Sequence, residues 1–342
     1  MAKTKDFGPL ASAAGALVAV TLLVLMLVLV EPRPAEATFP GENGKIAYKG
    51  WDGDDYEIFT IDPGGENGVP VTNNTTSDWR PDYSPNGKRI AYSGFDGVDF
   101  EIFTIKATGG TPFQVTDNTT PDLTPSYHPA GRTIAYSGKL SGVKSRVDYE
   151  IFAINAAGEP HFRVTYSTTS KFDFDTRAFD PDWSPSGREI AYELFDEEAS
   201  PNNYDIGLIQ PGSGHGSGYS ITKSTADEQD PSYHPTGELF AYSAWDGDDY
   251  EIFTYKFGLG KESENTLQIT DNTTDDVRPD YSPDGKRIAF ERFDGNDNEI
   301  FTMNVDGTGL DQVTDNSTDD GDPSWGRKTF LGRLKDLPPS QQ

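Results

Sequence analysis

The sequence predicts an all-β protein, a six-bladed β-propeller with four antiparallel strands in each blade. Three observations lead to this fold class: a unit that recurs six times, strand-like patterns inside each unit, and a unit split between the two ends of the repeat region. A sequence period of about 20 to 50 residues is typical of propellers and solenoids. The split unit favours the propeller, because its two halves can pair and close a ring.

The repeat is clearest where two copies are almost identical. Residues 80–104 read RPDYSPNGKRIAYSGFDGVDFEIFT, and residues 278–302 read RPDYSPDGKRIAFERFDGNDNEIFT. The prolines that begin the copies recur every 44 to 56 residues, at Pro81, Pro125, Pro181, Pro231, Pro279 and Pro323. The register of the whole array can therefore be followed from these prolines.

Each unit contains four predicted strands. The first, Pro-Asp-Tyr or Pro-Ser-Tyr, is followed by a Ser-Pro-x-Gly turn, in which proline and glycine suit a tight turn. The second, Arg-Ile-Ala-Tyr, alternates polar and apolar residues as a half-buried strand does. An Asp-Gly loop leads to the third strand, Glu-Ile-Phe-Thr-Ile, and a glycine turn leads to the fourth, Phe-Gln-Val-Thr. An Asp-Asn-Thr-Thr segment then returns the chain to the next proline.

The two ends of the repeat region hold complementary halves. Residues 45–48 form a second strand with no first strand before it, and residues 322–325 form a first strand with no second strand after it. We expect these halves to pair, which closes the ring and leaves only short, protected sheet edges. An open solenoid would instead need polar caps at both ends.

Residues 1–37 are predicted to be a signal peptide or an N-terminal membrane anchor. Lys3 and Lys5 precede an uncharged run of 21 residues, 10–30, and an Ala-Glu-Ala site ends at Ala37. This order is typical of a secretory signal, but the run would span about 30 Å as a helix, so an uncleaved anchor is the alternative. Both interpretations export residues 38–326, the propeller, to a periplasmic, cell-surface or secreted location. Residues 327–342 are expected to be a disordered basic tail.

The run Pro-Asp-Tyr-Ser-Pro-Asp-Gly-Lys-Arg-Ile-Ala-Phe, followed by Glu-Ile-Phe, resembles the WD40-like repeat of TolB-type β-propellers. The resemblance covers about residues 44–326. It implies a protein-interaction platform at the cell envelope, with envelope or extracellular proteins as partners, and we expect a monomer. The propeller begins within about ten residues of the proposed cleavage site, so we expect the N-terminal α/β domain of TolB itself to be absent.

Composition excludes several kinds of site. The chain has 28 Lys and Arg against 56 Asp and Glu, a net charge of −28. Such a surface repels nucleic acid and anionic membranes and favours cations or basic partners. The sequence has no Cys, which excludes disulfides, thiolate metal sites and a cysteine nucleophile. Contact with a membrane is therefore expected only through residues 1–37, if they are not cleaved.

The carboxylates are predicted to gather on one face of the ring. Alternate loops of an antiparallel blade emerge on opposite faces, and the loops entering the first and third strands are both rich in Asp. Since first strands line the axis, we predict a cation such as Ca²⁺ at the channel mouth, because Ca²⁺ accepts about six to eight oxygen ligands. The alternative is that these side chains cap turns. The predicted metal ligands are Asp78, Asp122, Asp180, Asp230, Asp276 and Asp322.

A second group of aspartates lies in Asp-Gly-x-Asp loops before the third strands. These loops are interpreted as turns and not as EF-hands, because glycine stands second and not sixth in the loop. Three aromatic residues near the acidic loops, Trp79, Phe179 and Trp245, are candidate anchors for a partner protein. The alternative is that each packs between blades.

The sequence predicts a non-enzymatic scaffold. No G-x-S-x-G elbow and no paired-histidine zinc motif is present, and His128 and His234 fill a slot that holds Ser in other copies. No cofactor is expected other than Ca²⁺. The alternative is a secreted polysaccharide lyase or glycoside hydrolase, because the acidic face offers many carboxylate pairs.

Overall fold

This computed structural model describes residues 41–140, 149–166, 177–196, 203–212, 218–258 and 265–329. The described residues contain twenty-four β-strands. The segment 1–37, predicted to be a signal or anchor, lies outside the described residues, as do residues 330–342 of the predicted tail 327–342. Arg327, the first residue of that predicted tail, instead ends the last strand. Within the described ranges no helix is long and apolar enough to cross a membrane.

The strands of this part form six four-stranded antiparallel sheets, the blades. Blade 1 contains β24 (Gly321–Arg327), β1 (Asn43–Trp51), β2 (Tyr56–Ile61) and β3 (Val69–Pro70). Blade 2 contains β4 (Asp78–Tyr83), β5 (Arg89–Phe95), β6 (Phe100–Lys106) and β7 (Phe113–Gln114). Blade 3 contains β8 (Asp122–Tyr127), β9 (Thr133–Lys139), β10 (Tyr149–Asn155) and β11 (His161–Arg163).

The remaining three blades repeat the same strand order. Blade 4 contains β12 (Ala178–Trp183), β13 (Ile190–Asp196), β14 (Asn203–Ile209) and β15 (Tyr219–Ser220). Blade 5 contains β16 (Glu228–Tyr233), β17 (Leu239–Trp245), β18 (Tyr250–Lys256) and β19 (Thr266–Gln268). Blade 6 contains β20 (Asp276–Tyr281), β21 (Arg287–Phe293), β22 (Asn298–Asn304) and β23 (Asp311–Gln312). The predicted fold class and four-strand unit are confirmed.

Blade 1 is the split unit, and it closes the ring as predicted. Strand β24 pairs antiparallel with β1, with Ile46 opposite Trp325 and Ala47 opposite Ser324. The two strands approach closely at Gly44, where an added Cβ would lie 2.7 Å from the backbone carbon of Arg327. A side chain at this position would therefore push the closing strand away.

The core lies between blades and not within them. Between blades 1 and 2, for example, Ala47 and Ile58 of one blade pack against Ile90 and Tyr92 of the next. Equivalent clusters join each successive pair of blades around the described ring. Because the apolar residues of second and third strands are shared with a neighbour, a single blade could not bury its own core.

The first strands carry a β-bulge beside each repeat proline. The pairing register between β4 and β5 shifts between Trp79 and Asp82, and the other five blades show equivalent shifts. Proline has no N–H to donate to the ladder, so it is tolerated at a bulge. The residue before each proline has a left-handed backbone, with φ between 45° and 56°: Arg80, Thr124, Asp180, Asp230, Arg278 and Asp322.

This bulge positions the channel. The residue before each proline and the residue after it line a central cavity of about 120 Å³. At one end of the ring the hairpin loops 52–55, 96–99, 246–249 and 294–297 emerge together with the segments that follow the fourth strands, as blade topology requires. We call this end the acidic face. The Ser-Pro-x-Gly turns lie at the opposite end.

Candidate functional site

The structure divides the six predicted metal ligands into two sets. Asp180, Asp230 and Asp322 directly precede their prolines and line the central cavity. Asp78, Asp122 and Asp276 stand two residues earlier on their strands and are buried. In those three blades the cavity positions belong to Arg80, Thr124 and Arg278. The six carboxylates therefore do not form one ring.

Arginines meet the aspartates at the channel mouth. The guanidinium of Arg80 lies 3.0 Å from Asp180, 3.2 Å from Asp230 and 3.2 Å from Asp322. Arg278 lies 2.9 Å from both Asp322 and Glu291. Burial by itself would raise the pKa of the Asp322 carboxyl. The positive charges of Arg278 and Arg80 lower that pKa by more than burial raises it, so the pKa lies below its usual range. The mouth is thus an ion-pair network that holds residues from five blades together, and cation binding there stays a prediction.

A second ring of carboxylates lies one layer deeper, and sequence reasoning missed it. Asp82, Asp182 and Asp280 follow the prolines of blades 2, 4 and 6, and Ser126, Ser232 and Ser324 take that position in blades 3, 5 and 1. The signal was present as an alternation of Pro-Asp with Pro-Ser along the chain. The ring therefore repeats with a period of two blades.

These deeper aspartates clamp neighbouring blades. The backbone N–H of Tyr127 donates to Asp82 over 2.7 Å, and that of Tyr233 donates to Asp182 over 2.7 Å. The hydroxyl of Ser232 donates to Asp280 over 3.2 Å. Burial raises the pKa of both Asp182 and Asp280 to about 7. Each carboxylate thus joins the first strand of its own blade to that of another.

Asp78, Asp122 and Asp276 belong to interblade networks. The side-chain amides of Asn74, Asn118 and Asn272 donate to them over 2.7, 2.7 and 2.9 Å. This contact explains the recurring Asp-Asn-Thr-Thr segment, whose asparagine fastens the start of the next blade. Asp276 also forms an ion pair with Arg292 at 2.5 Å. Burial, followed by the charge of Glu101, raises the pKa of Asp122 to about 8.

The three candidate anchor residues differ in their surroundings. Trp79 is half-buried and stacks on Phe100, with ring centroids 4.7 Å apart. Phe179 is half-buried and packs against Tyr149 at 4.6 Å. Trp245 is 41% exposed and meets Tyr250 edge-on at 5.5 Å. Of the three, Trp245 offers the most surface to a partner.

Trp245 has equivalents that sequence reasoning missed. Trp51, Phe95 and Phe293 occupy the same position in blades 1, 2 and 6, and these three are between 36% and 41% exposed. Each stands directly before an Asp-Gly pair, which is the sequence signal that could have identified them. Exposed aromatic rings therefore recur beside the acidic hairpin loops of four blades.

Comparison with known proteins bears on the fold. No protein-family model matches the sequence, and no curated protein matches it. TolB from Acinetobacter baumannii is 20% identical with a TM-score of 0.68, over 85% of this chain and 68% of that one. A putative TolB from Agrobacterium tumefaciens is 17% identical with a TM-score of 0.62, over 81% and 91%. Hydrazine synthase from Kuenenia stuttgartiensis is 15% identical with a TM-score of 0.68, over 86% and 48%.

Proposed function

We propose that this TolB-like β-propeller is an exported, non-enzymatic scaffold that binds another protein through its acidic face. The observation that carries the proposal is the set of exposed aromatic side chains, Trp51, Phe95, Trp245 and Phe293, beside acidic hairpin loops on one face of the ring. Partly exposed aromatic residues at the centre of a polar surface are typical of binding hot spots. Export is proposed from the character of residues 1–37.

The charge of this face favours a basic partner. Asp54 and Asp248 lie at the tips of two hairpin loops and are exposed beside Trp51 and Trp245. Carboxylates at the rim of an interface steer a positively charged partner towards it and contribute mainly to the association rate. An arginine or lysine of the partner could also stack on an exposed tryptophan, a contact of about 0.5–1 kcal/mol at a surface site. A basic extracellular segment fits both features.

The arrangement of the channel supports binding over catalysis. The carboxylates at its mouth form ion pairs with Arg80 and Arg278, and those one layer deeper accept backbone hydrogen bonds. Each of these groups already has a structural partner. No observation on the acidic face favours a particular acid–base pair, so we propose no enzymatic activity.

Site-directed photo-crosslinking tests this proposal. A photoreactive phenylalanine analogue placed at Trp245 or at Phe293, in cells that produce the protein, should give the same crosslinked partner. The matched control is Phe113, which is 46% exposed but lies on β7 at the outer edge of blade 2. The double variant Asp54→Asn with Asp248→Asn should reduce the yield several-fold, because it weakens electrostatic steering. Equal crosslinking from Phe113, or none from the acidic face, would contradict the proposal.

A further inference from the structure

The hairpin loops of four blades gather carboxylates into compact clusters. In blades 1, 2 and 6 the motif Asp-Gly-x-Asp-x-Glu brings together one oxygen from each acidic residue, all within 4.8 Å of one another. In blade 5 the same separation joins Asp246, Glu251 and Asp271, and Asp249 lies in the same loop. The clusters of the other three blades are Asp52, Asp55 and Glu57; Asp96, Asp99 and Glu101; and Asp294, Asp297 and Glu299. We call them the loop clusters.

The loop backbone sets the position of the first carboxylate. In blade 6, Oδ1 of Asp294 accepts the backbone N–H of Asn296 over 2.8 Å, and Gln312 donates to Oδ2 over 3.2 Å. On the third strand, one oxygen of Glu299 accepts the backbone N–H of Asn316 over 2.7 Å. The second oxygen of Glu299 and both oxygens of Asp297 are left to face one another.

These remaining oxygens are buried without a partner. Asp249 and Asp297 are each only 8% exposed, and neither oxygen of either carboxylate has a hydrogen-bond partner. The same holds for Oδ1 of Asp55, which is 9% exposed, and for Oε2 of Glu299. Among the ion pairs of the described residues, none involves a member of the four loop clusters. A buried carboxylate without a counter-charge is strongly unfavourable, and the described residues supply none to these clusters, so a bound cation would stabilise them.

In blade 4, a side-chain hydrogen-bond donor occupies the position that corresponds to the loop clusters. Asn203 replaces the second aspartate of the motif and Asp205 replaces the glutamate. Nδ2 of Asn203 donates to three oxygens: Asp205 Oδ1 at 3.2 Å and the carbonyls of Ser224 at 3.2 Å and Ala226 at 2.7 Å. Oxygen ligands therefore converge on a single point beside the third strand.

The same convergence is expected in the blades that keep aspartate. In blade 6 the residues equivalent to Ser224 and Ala226 are Asn316 and Thr318, because Ser224 and Asn316 both donate to the acidic residue that stands three positions before the next repeat proline. With Asp297 in place of asparagine, a carboxylate oxygen replaces the donor nitrogen at this point. In blade 3 the equivalent glutamate, Glu150, has a positive charge beside it, since the guanidinium of Arg163 lies 2.5 Å from its carboxylate.

We propose that the loop clusters of blades 1, 2, 5 and 6 each bind one Ca²⁺ ion. In blade 6 the ligands would be the carboxylates of Asp294, Asp297 and Glu299, joined by the carbonyls of Asn316 and Thr318. An all-oxygen set of carboxylates and carbonyls in irregular geometry suits Ca²⁺, which takes about six to eight such ligands. The absence of His and Cys from these clusters disfavours zinc and copper. These sites are distinct from the channel mouth.

Calorimetric titration of the full-length protein with Ca²⁺, after removal of bound ions with EGTA, tests the proposal. We expect about four ions per chain, and a melting temperature that rises with Ca²⁺ concentration because the ion binds only the folded state. Terbium should replace calcium and emit when tryptophan is excited, since Trp51 and Trp245 directly precede two of the loops.

Substitution by asparagine separates this site from a general effect of charge. Asp249→Asn and Asp297→Asn copy the residue found in blade 4, so each variant should fold without Ca²⁺ and melt higher than the parent in EGTA. Each should also bind one ion fewer. The controls Asp54→Asn and Asp248→Asn remove the same charge from exposed positions outside the clusters and should leave the stoichiometry unchanged.

Three results would overturn the proposal. One is no heat of binding and no thermal shift at millimolar Ca²⁺. Another is an unchanged stoichiometry in Asp249→Asn and Asp297→Asn, which would place the ions elsewhere, for example at the channel mouth. The third is an equal loss in the Asp54→Asn control, which would indicate general screening of charge. None of these results depends on whether a partner protein binds the acidic face.

Discussion

At the scale of single residues, the backbone conformation beside each repeat proline decides what the channel contains. A left-handed φ is uncommon for residues other than glycine, and for a β-branched residue such as Thr124 it is unusual. Here it recurs in all six described blades, where it turns the residue before the proline towards the axis. Asp78 stands three residues before its repeat proline and Asp180 stands one residue before its own. This difference of two positions within the repeat gives the two aspartates different environments.

Residue-scale burial predicts a pH dependence. Asp182 and Asp280 have pKa values raised to about 7 by burial, against about 3.9 in an unfolded chain. Between these values the folded state binds more protons than the unfolded state, so the free energy of unfolding falls as pH rises from about 4 to about 7. The loss is at most about 1.4 kcal/mol per pH unit for each group, and it is complete above about pH 7.

Urea unfolding in EGTA at pH 5, 6, 7 and 8 measures this dependence. The double variant Asp182→Asn with Asp280→Asn keeps an oxygen that can accept the backbone hydrogen bonds but cannot ionise. Its unfolding free energy should change less with pH than that of the parent. Parallel pH profiles for the two proteins would contradict the assignment.

At the scale of elements, each strand type has its own task. First strands line the channel and each also places one aromatic residue in the interblade core. Second and third strands supply most of that core, and the short fourth strands form the outer edge. The hairpin between the second and third strands carries both the exposed aromatic residue and the loop cluster. The proposed calcium ions would therefore stabilise the same hairpin that carries the proposed binding surface.

Closure of the ring by β24 gives an element-scale prediction. Trp325 of β24 is 3% exposed and packs with Ile46 of β1 in the core between blades 6 and 1. Trp325→Ala should lower the unfolding free energy by about 3–5 kcal/mol, the usual cost of truncating a buried tryptophan. Trp245→Ala is the matched control: this side chain is largely exposed, so we expect a loss below about 1 kcal/mol. Chemical denaturation monitored by circular dichroism compares the two, and equal losses would contradict closure through β24.

At the scale of the whole molecule, the channel mouth joins distant parts of the chain. Arg80 of blade 2 forms ion pairs with Asp180 of blade 4, Asp230 of blade 5 and Asp322 of blade 1. These partners are 100, 150 and 242 residues away in sequence. The network can form only when the ring is complete, so it reports on closure of the propeller.

Removal of Arg80 should therefore be costly. Arg80→Ala leaves three partly buried carboxylates short of a counter-charge, and we expect a loss of about 3 kcal/mol, the lower end of the cost of breaking a buried ion pair. Arg80→Lys keeps the charge but not the fork of donors, so its loss should be intermediate. Thermal melting at neutral pH ranks the variants. A melting temperature for Arg80→Ala equal to that of the parent would show that the network contributes nothing to stability.

Much of the fold was predictable, because it rests on local patterns that the sequence repeats. The alternation in Arg-Ile-Ala-Tyr, the Ser-Pro-x-Gly turn and the split unit led to six blades, four strands and a closed ring, all confirmed. The candidate site was less predictable. The predicted metal ligands Asp78 and Asp180 were grouped because each precedes a repeat proline closely. Asp78, which stands two positions earlier in its repeat than Asp180, is buried between blades, whereas Asp180 lines the channel.

The sequence by itself determined the architecture of this protein and the acidic character of its hairpin loops, since both follow from residue type and spacing within one repeat. Only the tertiary structure decided which carboxylates meet a charge and which do not. Asp180 meets Arg80 from another blade, whereas Asp249 and Asp297 are buried with no partner among the described residues. The physical reason is that desolvation and ion pairing depend on which groups approach within a few ångströms, and that is settled by closure of the ring.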